Sequence, residues 1–72
     1  MTRSEHLQWC KDRALEYART GDTTNAVASM FSDMQKHDET RGHVGCELGM
    51  MMMAAGLLER QSEVIKWIEG FN

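Results

Sequence analysis

Histidine, cysteine and glutamate gather in one stretch of the chain and are the first candidates for chemistry. His43 precedes Cys46 by three residues and Glu47 by four, so these side chains can share one helical face, with His37 nearby. Together with Cys10, they could supply the tetrahedral ligands that zinc prefers. The paired short intervals of zinc fingers are missing, so we predict that no metal is bound and that the cysteines are small buried hydrophobes.

A cysteine activated by histidine is the second candidate, for nucleophilic catalysis. Such a thiol needs a partly exposed, electropositive pocket and an oriented base. Cys46 instead lies between Gly45 and Glu47 in the least polar part of the chain, where we expect it to be enclosed. A chain of 72 residues also leaves little room for a substrate cleft. We therefore predict that the protein is not an enzyme and uses no cofactor.

Aromatic and basic side chains near the start of the chain favour binding. Trp9, Arg13 and Tyr17 recur at intervals of four residues, so two aromatic rings flank a guanidinium on one helical face. With Lys11 these groups could grip a small nucleotide, although the glycines follow no strand and form no phosphate-binding loop. The plainer alternative is that Arg13 packs on its own helix neighbours.

Large apolar side chains exceed what a small helical core readily hides. Tryptophan and methionine, which are typical of adaptable protein interfaces, occur two and seven times. Self-association into a homodimer would cover the excess, so we expect a dimer as well as a partner protein or protein complex. The predicted partner-binding residues are Trp9, Arg13, Tyr17, Trp67 and Phe71.

The elements that must position these groups are predicted to be helices only. Proline is absent, and β-branched residues never alternate over a run. We expect residues 1–72 to be a single domain, a small bundle of three main helices and a short C-terminal one. The first helix is capped by Ser4 and ends at Gly21, and the others span about 22–37, 39–57 and 62–70. Asp33 and Lys36 fall on the polar side of the second helix and are expected to be solvated.

The third helix, rich in methionine and glycine, is predicted to be the centre of the bundle. One apolar face is formed at helical spacing by Val44, Leu48, Met51, Met52 and Ala55. The glycines of residues 42–56 form a second line, along which a neighbouring element could come close. Aromatic groups towards both ends of the chain would then be free to contact a partner.

Charge and hydropathy exclude two classes of partner. The net charge of −3, with both signs interspersed, argues against nucleic-acid binding. No apolar segment of signal-peptide length follows Met1, and the longest apolar run, residues 48–58, is about half the roughly twenty residues that a membrane span needs. We expect no membrane contact, an intracellular location and free thiols.

Short segments spread over almost the whole chain carry a resemblance to known proteins. They are residues 9–17, 21–22, 28–30, 32–33, 36–37, 39–40, 47–49 and 68–71. Together they resemble a family of small proteins encoded by tailed bacteriophages, many with actinobacterial hosts. The resemblance implies a phage accessory protein that acts in the host bacterial cytoplasm, and it assigns no site residues.

These observations lead to one function hypothesis and two alternatives. We expect a non-enzymatic phage accessory protein that binds a host bacterial macromolecule, to counteract a defence system. The alternatives are a protein that sequesters a small nucleotide signal and a structural or assembly protein of the virion. Nucleotides that raise the melting temperature would favour the first alternative, and recovery of the protein in purified particles the second.

Overall fold

The computed structural model describes residues 2–72, which are all-α as predicted. Four helices occupy this range: α1 is Arg3–Arg19, α2 is Thr23–Met34, α3 is Val44–Ala54 and α4 is Gln61–Glu69. No strand occurs among these residues. The prediction of a small helical bundle is confirmed.

The start of α1 differs from the prediction because a capping box forms before Ser4. The Thr2 hydroxyl accepts the Glu5 N–H at 3.2 Å, and the Glu5 carboxylate accepts the Thr2 N–H at 3.0 Å. This reciprocal pair satisfies two of the donors that the first turn leaves free. At the other end of α1, Gly21 takes the left-handed conformation (φ +85°) expected of it.

The core lies between α1, α2 and α4. Buried side chains of α1 recur at helical spacing, and this helix packs against both α2 and α4. Small residues such as Ala14 and Ala18 are completely buried and allow the neighbouring helices to come close. The largest buried apolar side chains in the core are Leu7 and Leu15 of α1, Met30 and Met34 of α2, Leu58 before α4, and Trp67, Ile68 and Phe71 of α4 and the residues after it.

The chain between α2 and α3 is a loop where the sequence predicted helix. Thr40 is completely buried in this loop, and its hydroxyl shares its one proton between the Met34 carbonyl at 2.8 Å and the His37 carbonyl at 3.1 Å. These bonds satisfy carbonyls that the end of α2 leaves free. Gly42 then takes a φ of +77°, a left-handed conformation that prevents α3 from extending further towards α2.

The third helix is peripheral, so the prediction that it is central is wrong. Of its residues only Cys46 and Gly49 are buried, whereas Leu48 and Met51 are 51% and 69% exposed. It is also shorter than predicted, because left-handed glycines at positions 42 and 56 bound it on both sides. Of the face that the sequence assigned to the core, only Met52 is half-buried and packs against the bundle, while its other four residues are exposed.

Two aromatic rings hold the glycine side of α3 against the bundle. A Cβ at Gly45 would lie 2.6 Å from the Phe71 ring, and one at Gly49 would lie 2.5 Å from the Trp67 ring. The indole N–H of Trp67 also donates to the Gly45 carbonyl at 3.0 Å. Trp67 and Phe71 are therefore 8% and 3% exposed, and the prediction that they are free to contact a partner is wrong.

Candidate protein-binding surfaces

The predicted binding residues of the first helix do share one surface. Arg13 and Tyr17 are exposed, and Trp9 is half-buried beside them. The guanidinium carbon of Arg13 lies 4.8 Å from the centroid of the Trp9 ring, and the Lys36 ammonium lies 5.5 Å from it. We call Trp9, Arg13, Tyr17 and Lys36 the α1 face.

A buried carboxylate fixes the two cations of this face. Asp33 accepts hydrogen bonds from Arg13 Nε at 2.8 Å, from Lys36 Nζ at 3.0 Å and from Ser29 Oγ at 3.3 Å. Burial acts to raise the pKa of the Asp33 carboxyl, but the bonds from Lys36 and Arg13 outweigh it and leave that pKa below its usual value. The prediction that Asp33 is solvated is therefore wrong.

One imidazole stacks on the Trp9 ring, and a second imidazole stacks on the first. His6 is buried and stacks on Trp9, with centroids 5.6 Å apart, and on His37, with centroids 5.1 Å apart. A carbonyl only accepts, so the 2.9 Å contact between His6 Nε2 and the Asp33 carbonyl places a proton on Nε2. Trp9 is thereby held in one orientation, so its side chain loses less conformational entropy when a partner binds.

Lys11 lies away from the α1 face, which weakens the nucleotide interpretation. Its ammonium donates to the main-chain oxygens of Glu69 at 3.3 Å and Phe71 at 3.0 Å. Arg13 donates only its Nε–H to Asp33, but Lys11 is bonded elsewhere, so the two cations do not converge on one phosphate site. The structure thus brings Trp9 and Arg13 together but does not add Lys11 to them.

The cysteines lack the environment of a nucleophile. Cys10 Sγ lies 3.5 Å from His6 Nε2, but that nitrogen carries the proton that it donates to Asp33 and cannot act as a base. Burial, followed by the nearby Asp33 charge, raises the pKa of Cys10 to about 11. Burial also raises the pKa of Cys46. Both thiols are therefore protonated at neutral pH.

The histidines considered as metal ligands are engaged with other groups. His43 Nδ1 accepts the Gly45 N–H at 2.8 Å, and its Nε2 donates to the Asn72 main-chain oxygen at 2.8 Å. His37 stacks on His6 instead. Within residues 2–72, no three His, Cys, Asp or Glu side chains are grouped so that they could hold a metal ion.

A second surface, which the sequence assigned to the core, is the outer side of α3. Apart from Tyr17, every large apolar side chain found exposed in the described chain lies in residues 44–57. An open cleft of about 480 Å³ lies on each side of the helix, one over Trp67 and Phe71, the other over Phe31 and Cys46. Such a continuous apolar surface is typical of an interaction site.

The fold and these surfaces define a small all-α bundle with two candidate interfaces. In comparisons with known proteins, no family model, no curated protein and no solved structure matches the chain. None of the helices within residues 2–72 is long and apolar enough to cross a membrane. Conclusions on function therefore depend on the two surfaces.

Proposed function

We propose that this protein is a non-enzymatic phage accessory protein that binds a host bacterial protein in the cytoplasm and thereby counteracts a defence system. The phage context is what the resemblance implies. The observation that carries the binding proposal is the α1 face, where Trp9, Arg13 and Tyr17 lie on one side of a helix. These three residue types are the ones most enriched at the energetic centres of protein interfaces.

The chemistry of the α1 face specifies what the partner must offer. Two cations surround one carboxylate, so the face has a surplus of positive charge on a protein whose net charge is −3. Arg13 and Lys36 are about half exposed while bonded to Asp33, so each retains donors that point outwards. A host surface with an apolar pocket beside a carboxylate would complement both the rings and the cations.

The test is capture of a host protein from lysate, followed by titration of the purified partner. We expect the double variant Arg13→Lys, Tyr17→Ala to raise Kd at least tenfold, because it removes the guanidinium plane and an exposed ring while keeping a cation beside Asp33. Gln8→Ala, an exposed change on another side of α1, should leave Kd within about threefold. Urea denaturation of each variant checks that the bundle is intact.

Equal affinity of the wild-type protein and the double variant would refute the α1 face as the binding site. A nucleotide that raises the melting temperature of the isolated protein by several degrees would instead favour the sequestering alternative.

A further inference from the structure

The outward side of α3 has the residue spacing of a helix-pairing seam. Val44, Leu48, Met51 and Ala55 follow one another at intervals of four, three and four residues, and all four are exposed. Alternating intervals of three and four place apolar side chains along one line, where another helix can interlock with them. We call these four residues the α3 seam. The spacing and the exposure of these residues together indicate that the element that packs on them is another helix.

The seam is complementary to itself when two copies run antiparallel. Pairing Leu48 with Met51 of a second copy also pairs Val44 with Ala55, because both pairs share the same midpoint. The two larger side chains then meet at the centre, and Val44 meets a small residue at each end. An antiparallel arrangement also sets opposite ends of the two helix dipoles side by side.

The extent and the apolar character of the exposed surface of α3 favour a stable interface over a transient one. A standard interface covers roughly 800 Å² per partner, which is about a fifth of the 4494 Å² surface of this protomer. The stretch 44–57 holds about a fifth of the described residues, and ten of its fourteen residues are exposed, so a comparable share of the surface can come from this stretch. Glu47 is the only charged residue of α3, so the surface lacks the polar side chains that would keep it soluble between encounters.

We propose that α3 is the interface of an antiparallel homodimer in which the α3 seams of two copies interlock. The α1 face belongs to other elements, so this proposal does not depend on the proposed host partner. Dimerisation would cover the apolar ridge and leave two α1 faces available, one per copy.

Sedimentation over a concentration series tests the dimer. Wild-type protein should show twice the protomer mass, and Met51→Glu should raise the dimer dissociation constant by about a hundredfold, because it buries a carboxylate without a partner in each copy. Met50→Glu is the matched control. Met50 is the same residue type, 64% exposed on the same helix, but lies off the seam, so its dissociation constant should change less than about fivefold.

A charge pair tests the register. In the double variant Leu48→Glu, Met51→Lys, a carboxylate of each copy faces an ammonium of the other, so we expect most of the affinity lost in either single variant to return.

Cross-linking gives a second test of the register. The double-cysteine protein, Val44→Cys with Ala55→Cys, should cross-link to a covalent dimer with a short thiol-specific reagent. Val44→Cys alone should not, because positions 44 of two antiparallel copies are about 16 Å apart along the axis.

Three outcomes would overturn the proposal. Wild-type protein that remains a monomer at millimolar concentration excludes the dimer. Loss of the dimer in Met50→Glu but not in Met51→Glu excludes the seam. Efficient cross-linking of Val44→Cys alone excludes the antiparallel register. Circular dichroism of each variant shows whether the bundle is folded, and the cross-linking readout does not depend on the charged variants.

Discussion

Asp33 is the residue that joins α1 to α2 through polar contacts. Its carboxylate is buried and accepts hydrogen bonds from Arg13 of α1, from Ser29 of its own helix and from Lys36 just after that helix. A buried carboxylate without such donors would cost several kcal/mol. The same contacts fix the cations of the α1 face, so one residue serves both stability and the proposed binding.

The lowered pKa of Asp33 predicts a loss of stability in acid. A carboxyl whose pKa is lower in the folded state contributes stability that is complete above its ordinary pKa of 3.8. This contribution is lost as the pH falls below that value and through the lower folded pKa. We expect Asp33→Asn to reduce the free energy of unfolding at pH 7 by about 2 kcal/mol and to flatten this part of the pH profile.

Urea denaturation from pH 2 to 7 measures both effects. Asp38→Asn is the control, since that carboxylate is 89% exposed in a surface pair with Arg41 and its loss should cost less than about 0.5 kcal/mol. Identical pH profiles for the wild type and Asp33→Asn would contradict the assignment of this acid sensitivity to Asp33.

At the scale of elements, α3 is attached to the bundle by ring-on-glycine contacts. Phe71 and Trp67 occupy the space that side chains at positions 45 and 49 would take. The two rings also meet edge to face, with centroids 5.1 Å apart. Glycine lowers helix propensity, so its presence at both positions is explained by this close approach rather than by the helix itself.

Gly49→Ala should therefore destabilise the protein although it improves helix propensity. The added methyl group would lie 2.5 Å from the Trp67 ring, and the overpacking should exceed the gain of about 1 kcal/mol from replacing glycine. We expect a net loss of about 1 kcal/mol in the free energy of unfolding, measured in urea. A change in Trp67 fluorescence should accompany it.

Gly70→Ala is the matched control for this prediction. Gly70 has a helical backbone, and a Cβ there would meet its nearest neighbour at 3.4 Å, at the edge of ordinary contact. Its free energy of unfolding should change by less than about 0.5 kcal/mol. A stabilised Gly49→Ala protein would show that the ring has room to move.

At the scale of the whole molecule, the protomer has a core on one side and an apolar ridge on the other. α1, α2 and α4 bury most of the large side chains, while α3 exposes most of its own. A domain of this size buries only about 60% of its unfolded surface, so a monomer has little stability in reserve. Burial of α3 between two copies would add buried apolar surface to the small core of each protomer.

The proposed dimer predicts a melting temperature that depends on protein concentration. Unfolding of a dimer releases two chains, so a tenfold higher concentration should raise the melting temperature by about 5 °C. Scanning calorimetry at two concentrations measures the shift. Met51→Glu should show none, and a wild-type melting temperature that is independent of concentration would contradict dimer-linked unfolding.

The sequence by itself determined the helical class and several helix limits. Helix-forming composition without proline indicates the helical class, and Gly21 ends α1. The second helix carries four apolar residues at helical spacing, of which Phe31 is half-buried and the others are buried: Val27, Met30, Phe31 and Met34. These features depend on residues that are close in the chain, where propensity, capping and periodicity act.

Only the tertiary structure decided which side of α3 faces inwards. Its methionine stripe and its glycine line are both apolar, so periodicity alone cannot distinguish a core face from an interface. The choice depends on whether the Trp67 and Phe71 rings fit against the glycines, and that fit joins residues about twenty positions apart in the chain. Burial of Asp33 likewise required Arg13 from another helix. Shape and charge complementarity between distant segments are properties of the folded chain and are not encoded in local spacing.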